Sequence, residues 1–187
     1  NPITGNYSNI SSPQQIYTRI HNKANTTCFD TTSFFVEVFD SPTANPISDI
    51  NICDDNNDGV WSFDFSTLDT QVLAEQNNAI FSVQYFTSQA DADNNVNPIT
   101  GNYSNIISPQ QIYTRIHNNA YTNCFDTTSF AIAVFDSPTA NPIADINICD
   151  DNNDATWSFD FSALDTQVLA TQSTTTFSVQ YFTSQAD

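Results

Sequence analysis

The sequence predicts an all-β sandwich used in tandem, and three observations support that prediction. Residues 1–91 and 97–187 are the same text at an offset of 96 residues, differing at 16 of 91 paired positions. A unit of that length exceeds the roughly 20 to 50 residues of a solenoid repeat and suits a complete small domain, a bead on a string. Apolar residues recur with period two in almost every segment. Proline-rich polar stretches interrupt the pattern at matching places, Ser41-Pro42-Thr43-Ala44-Asn45-Pro46 and Ser137-Pro138-Thr139-Ala140-Asn141-Pro142.

Division at those stretches makes residues 1–44 the C-terminal part of one repeat, 45–140 a complete repeat, and 141–187 the N-terminal part of a third. The length of 187 is two periods less five, and residues 92–96 occur once. The chain therefore reads as a window on a longer tandem protein, with no signal peptide or anchor expected at either end. Two prolines four residues apart make a short, stiff connector, so neighbouring beads should hold a preferred angle.

Within the complete repeat, Trp61, Phe63 and Phe65 alternate with Ser62, Asp64 and Ser66, the pattern of a half-buried strand. Ser66-Thr67-Leu68-Asp69 then opens a capping-box-like start, with Val72 four residues after Leu68 and Leu73 beside it, which predicts one short helix per repeat. Phe81, Val83 and Tyr85 alternate with Ser82 and Gln84, and Gln110 to Ile116 gives a further strand. The last strand is Ser129 to Phe135, repeated as Ser33 to Phe39. Several short strands in about 96 residues point to an immunoglobulin-like sandwich. The two copies of the last strand agree with one packed face. Phe34, Val36 and Val38 become Phe130, Ile132 and Val134, whereas Phe35 and Glu37 on the outward side shrink to Ala131 and Ala133.

The formal charge is −18, with Arg19, Lys23 and Arg115 as the only cationic side chains besides histidine. That balance excludes a basic patch for nucleic acid or an anionic membrane. No apolar run is long enough to cross a bilayer, so no membrane insertion is expected. The near absence of lysine removes the Lys-Asn and Lys-Asp isopeptide bonds that stiffen some surface domains, leaving packing, disulfides or metal to hold the beads. Few Lys and Arg residues also leave few sites for trypsin-like proteases, which suits a secreted protein; a merely soluble acidic surface is the plainer reading.

Cys28, Cys53, Cys124 and Cys149 stand two to a repeat, 25 residues apart across a connector and 71 within a bead. If the first and last strands of the sandwich run parallel, both start at the same pole, and Cys53 and Cys124 lie close to those starts. This predicts an intradomain Cys53–Cys124 bridge. The rival pairs Cys28 with Cys53 and Cys124 with Cys149, across the connectors. A bridge closing about 70 residues contributes on the order of 4 kcal/mol in the chain-entropy model and implies an oxidising compartment. Four reduced cysteines are the remaining alternative.

Asp54-Asp55-Asn56-Asn57-Asp58-Gly59 has the alternating oxygen ligands and the turn glycine that open a calcium loop. It is not an EF-hand, since the twelfth position is Phe65. Asp64 is the nearest substitute carboxylate, so the expected calcium ligands are Asp54, Asn56, Asp58 and Asp64. Asp150, Asn152, Asp154 and Asp160 form a weaker copy, in which Ala155 replaces the glycine. An Asx turn bonded to its own backbone is the competing reading. Asp91-Ala92-Asp93-Asn94-Asn95 is a further cluster of oxygen ligands, or an exposed polar loop. No catalytic constellation emerges: His21 and His117 are the only histidines, read as surface strand residues, and no cysteine is placed as a nucleophile beside a base. The chain is therefore expected not to be an enzyme.

The run Ile52 to Gly59, then Phe63-Asp64-Phe65, Val83-Gln84-Tyr85-Phe86 with Asp91-Ala92-Asp93, Asn97-Pro98-Ile99, Gln111-Ile112-Tyr113-Thr114-Arg115 and Cys124 resembles a repeat of giant Bacteroidetes surface proteins. Those include adhesins of the gliding-motility type, exported by the type IX secretion system. The resemblance implies an extracellular, cell-surface adhesin or filament of many repeats. It also implies O-glycans at an Asp-Ser/Thr pattern, which Asp30-Thr31-Thr32 and Asp126-Thr127-Thr128 resemble, with Thr31 and Thr127 as acceptors; a polar turn before the last strand is the alternative. The expected function is a structural stalk or fibre. Its partners would be neighbouring repeats of the same chain, with lateral homo-association as a further interaction. The alternative is a repeated glycan- or surface-binding module presenting Trp61, Trp157 and Phe35. A hydrolase is a remote third reading.

Overall fold

The computed structural model describes residues 2–185. In chain order its elements are β1 (Gln14–His21), β2 (Phe29–Val36), β3 (Ile50–Asp54), β4 (Ser62–Phe63), α1 (Asp69–Leu73), β5 (Phe81–Phe86), α2 (Gln89–Asn94), β6 (Tyr103–Ser104), β7 (Gln110–Asn118), β8 (Phe125–Asp136) and α3 (Asp165–Leu169). The complete bead is an all-β, sandwich-like fold with short helices. Its main sheet has the order β3-β8-β7-β5, with β3 parallel to β8 and the other pairs antiparallel. The β4–β6 ladder and α1 supply the facing layer.

Period-two patterning places one side of the main-sheet strands in the core. Ile112 and Ile116 of β7, Phe130, Ile132 and Val134 of β8, and Phe81 and Tyr85 of β5 meet Phe63, Phe65, Val72 and Leu73 from the opposite layer. Phe130 is the centre, with Phe65 edge-on at 5.6 Å between ring centroids and Tyr85 at 6.5 Å. The inward set predicted for the last strand is buried. The outward one is not uniformly exposed, because Ala133 is also covered.

The strand expected from Trp61 to Phe65 is shorter, only Ser62–Phe63. Asp64 ends it, because its Oδ1 accepts from Ser66 N at 3.1 Å and Ser66 Oγ at 2.6 Å and so turns the chain into a 3-10 helix over Phe65–Leu68. That turn leads into the expected helix, α1, which Tyr85 Oη ties to β5 by donating to Asp69 Oδ1 at 2.9 Å. A second helix, α2, replaces the polar loop expected at Asp91 to Asn95. Ser88 caps it by accepting from Asp91 N at 3.1 Å, and Asn95 ends it in the left-handed region at φ 54°.

The incomplete repeats show what the sheet contributes. Residues 141–185 reproduce the local contacts of the complete bead, including Tyr181 Oη to Asp165 Oδ1 at 2.9 Å. Their aromatics nevertheless remain open: Phe182 is 60 % exposed where Phe86 is fully buried. In the β1–β2 hairpin Phe34 is 50 % exposed where Phe130 is 1 %. The residues that would complete those two cores are not among these 187.

Candidate functional site

The entry pole of the complete bead lies where β7 ends and β8 begins. Phe39, the last aromatic of the preceding repeat, stacks on Tyr121 with ring centroids 5.1 Å apart and an interplanar angle of 19°. Asn118 Nδ2 donates to Asp40 O at 3.0 Å. Pro42 is buried. Thr43 and Gln76 then exchange hydrogen bonds, Thr43 N to Gln76 Oε1 at 2.9 Å and Gln76 Nε2 to Thr43 O at 2.7 Å. Ala44 N donates to Asp126 Oδ2 at 2.8 Å, and Asn45 Nδ2 to Val72 O at 2.9 Å. These polar groups of the connector, which would otherwise bond to water, have fixed partners in the bead it enters.

At the exit pole the Asx-rich loop holds the next connector. Asn57, at φ 56°, exchanges two bonds with Ser137: Ser137 N donates to Asn57 Oδ1 at 2.7 Å, and Asn57 Nδ2 to Ser137 O at 3.2 Å. Two residues on, Thr139 and Gln172 repeat the Thr43–Gln76 exchange at 2.8 and 2.6 Å. Ser137 is thus held by the bead it leaves and Thr139 by the repeat it enters, with Pro138 alone between them.

The loop's carboxylates are occupied by the loop itself. Asp54, 1 % exposed, accepts from Asn56 N at 3.2 Å and Gly59 N at 2.7 Å. Asp58 Oδ1 accepts from Val60 N at 2.8 Å, and Asn56 bridges to Asp58 Oδ2 at 3.0 Å. Asp64, expected as a fourth calcium ligand, is turned away to cap its own 3-10 helix. Asp150, Asn152 and Asp154 repeat the network, with Ala155 at φ 61° in the glycine's place and Asp160 capping as Asp64 does. Backbone donation from Ala155 holds Asp150 below the ordinary carboxylate range, and the Thr156 hydroxyl, followed by its backbone N–H, lowers Asp154. Among the described residues no three acidic, histidine or cysteine side chains converge on a point.

Arg115 is the one Lys or Arg of the complete bead and is 2 % exposed. Its Nη1 donates to Ala92 O at 2.8 Å and Asp93 O at 3.0 Å, its Nη2 donates to Thr122 O, and its guanidinium carbon lies 3.6 Å over the Phe125 ring. It therefore ties the end of α2 to the 119–124 turn that carries Cys124. Burial lowers its pKa. His117, expected at the surface, is instead buried at the edge of this cluster. Its pKa is lowered by burial and by Arg115.

The structure does not bring Cys53 and Cys124 together, which corrects the intradomain pairing. The expected polarity holds, since β3 is parallel to β8, but the register does not serve the bridge. Cys53 lies beside Phe135 near the exit, while Cys124 precedes Phe125 at the entry. Eleven residues of strand separate those levels, about 36 Å at 3.3 Å per residue, against the 4.4 to 6.8 Å between Cα atoms that a disulfide spans. None of the four cysteines is bonded to another in this chain.

Residues 1–42, 49–138 and 145–187 match the family described as the Flavobacterium inter-domain disulphide bond domain. The chain belongs to that family. The stretches outside the match, 43–48 and 139–144, overlap the connectors from Thr43 to Pro46 and from Thr139 to Pro142. No curated protein and no solved structure matches the chain. A bridge between domains, as this family is described, agrees with cysteines that stand one at each pole of a bead.

Thr127, the proposed glycan acceptor, lies inside β8 rather than in a turn and is half-buried; its Oγ1 accepts from Gln89 Nε2 at 3.3 Å. Thr31 is exposed, on β2. Trp61 packs against the core, and Asn105, itself buried, accepts from its backbone N–H at 2.7 Å. Sequence reading missed the roles of Arg115, Asn57 and Gln76. For Gln76 a signal existed: between Glu75 and Ile80 every other residue changes in the second copy, and Gln172 alone is kept.

Proposed function

We propose that this chain is part of a non-enzymatic structural repeat of an extracellular adhesin or filament, working as a stalk or fibre. The observation that carries the reading is the connector Ser137-Pro138-Thr139, gripped by Asn57 on one side and Gln172 on the other. A joint with one free residue, and that one a proline, transmits orientation from bead to bead, as a projecting stalk requires. Family membership supports an oxidising, extracellular setting, because a disulfide between domains persists there. The finer assignment, a gliding-motility adhesin exported by the type IX system, rests on the sequence resemblance. Neighbouring repeats are then the first partners, with lateral association between chains as the second. The glycan-binding alternative has less support from Trp61, which packs, partly buried, against the core.

Negative-stain electron microscopy of a longer tandem of this sequence tests the reading. A straight rod of beads is expected, with a narrow distribution of angles between neighbours. Compact globules or freely jointed beads would refute it.

A further inference from the structure

We propose that the bridge at each joint links the β3 cysteine of one bead to the cysteine preceding β8 in the next bead, 167 residues downstream. That spacing is the 71 residues from Cys53 to Cys124 plus one period of 96. The proposal rests on the tandem-stalk reading and adds the connectivity, which the family description leaves open.

The two poles decide it. Cys53 is exposed and lies in register beside Phe135, both on the outward face at the exit end of the sheet. Phe39 is the copy of Phe135 one period earlier, so the β3 cysteine of the preceding bead stands beside Phe39 in the same register. Phe39 stacks on Tyr121 across the joint. Tyr121 closes a tight turn onto Cys124, whose N–H donates to Tyr121 O at 2.9 Å. The strand neighbour of one ring and the turn partner of the other are the two cysteines, and they flank a single stack. Asn118 to Asp40 and Arg115 to Thr122 hold both sides of that joint in place.

The same placement rejects the intradomain pairing expected from strand polarity and its rival across the connectors. Cys53 and Cys124 are at opposite poles of one bead. Cys28 is at the entry of its bead, where Asn22 N donates to Cys28 O, and Cys53 is at the exit of the next. Cys124 and Cys149 repeat that mismatch one period on. Each of the four cysteines therefore takes its partner from a repeat outside these 187 residues.

Formation needs an external disulfide such as that of oxidised glutathione. The Cys53 thiolate attacks one of its sulfurs and releases the first thiol, leaving a mixed disulfide. The downstream thiolate then attacks the Cys53 sulfur and releases the second thiol. Two cysteine protons pass to the two departing thiolates, and the external disulfide gains the two electrons the protein loses.

Two preparations test the connectivity. The 187-residue chain, incubated with oxidised glutathione and mapped without reduction after chymotryptic digestion, should contain no bridge between any of its own four cysteines within a monomer. A Cys28–Cys53, Cys53–Cys124 or Cys124–Cys149 peptide would overturn the proposal. The same chain extended by a second copy of residues 92–187 should lose two thiols per molecule and yield one new linked peptide, joining Cys53 to the copy of Cys124 one period on. Cys53→Ser in that extended chain should abolish the link, with an unchanged far-ultraviolet circular dichroism spectrum showing that the beads still fold. A folded extended chain with every thiol free would also overturn it. Because the map is independent of shape, a rod with a different map refutes only the pairing, and the expected map in a compact globule refutes only the stalk.

Discussion

Arg115→Gln should destabilise the complete bead more than any other single charge change. The substitution keeps part of the stem and removes the guanidinium, and with it three hydrogen bonds to Ala92, Asp93 and Thr122 and the contact over Phe125. Bonds from a charged donor contribute about 1.5 to 3 kcal/mol each, and a desolvated cation over an aromatic ring about 2 kcal/mol. These cannot simply be added, because one side chain makes them all and its own desolvation opposes them. Removal of one member of a buried charged cluster costs about 3 to 5 kcal/mol, and the lower half of that range suits a cation whose partners are neutral carbonyls. Against a domain stability of about 5 to 15 kcal/mol, that is a large fraction. In urea, with a slope of about 1.5 to 2 kcal/mol per molar, the midpoint should fall by about 2 M. The readout is the cooperative transition in far-ultraviolet circular dichroism. Arg19→Gln is the control: Arg19 is exposed and reaches only Thr26 O and the Phe29 ring, so its change should stay within about 0.5 kcal/mol. A loss below about 1 kcal/mol for Arg115→Gln would show that the cost of burying the guanidinium cancels its bonds, and the clamp would have to be abandoned.

Gly59 has φ +75°, and a methyl group at its Cα would meet no atom within 4 Å, so Gly59→Ala should cost only the left-handed backbone, about 1 kcal/mol, seen as a fall of about 4 to 8 °C in Tm. Ala155 already stands at φ 61° in the second copy, and an unchanged Tm would show that the turn relaxes instead. Because the loop's own N–H groups occupy Asp54 and Asp58, millimolar calcium and chelator should give the same Tm; a rise with calcium would mean that the loop reopens into the metal site its sequence suggests. His117 is depressed below 6.5 by burial and by Arg115, so between its folded pKa and 6.5 the unfolded chain binds more protons. Its contribution is complete above pH 6.5 and lost as the pH falls below it, and His117→Gln should flatten the decline in Tm across that window; an equal slope in the variant would remove His117 as its source.

Much of the bead could be read from its sequence because the information is local. Alternation placed Phe130, Ile132 and Val134 inward, and the capping signal placed the helix at Asp69 to Leu73. Residues 141–185 repeat the turn and helix hydrogen bonds of the complete bead, including Asn141 Nδ2 to Val168 O at 2.9 Å, whereas the strands equivalent to β3, β4 and β5 do not form there without a sheet to join. The α2 helix was hidden because it is six residues of polar and small side chains with Ala92 alone buried, so no apolar period marks it. Arg115 and His117 were hidden for the opposite reason: they occupy strand positions whose outward neighbours look solvated until α2 and the 119–124 turn cover them.

The site failed at one quantity, the register between first and last strand. Parallel polarity was the right inference, but it places two cysteines together only if both strands begin level. Here the chain runs along the first half of β8 without pairing as a strand, tied by Ala44 N to Asp126 Oδ2 at 2.8 Å and by Ala131 N to Asp49 Oδ1 at 2.7 Å. Pairing begins only when Ile50 meets Ile132. The two prolines delay it, since a residue without an N–H cannot extend the ladder and the connector must first satisfy its own polar groups. That delay carries Cys53 to the far pole. The fixed path of the connector and the position of Cys53 thus have a common origin: the segment too irregular to be a strand is held by side chains, and its length sets which pole each cysteine reaches.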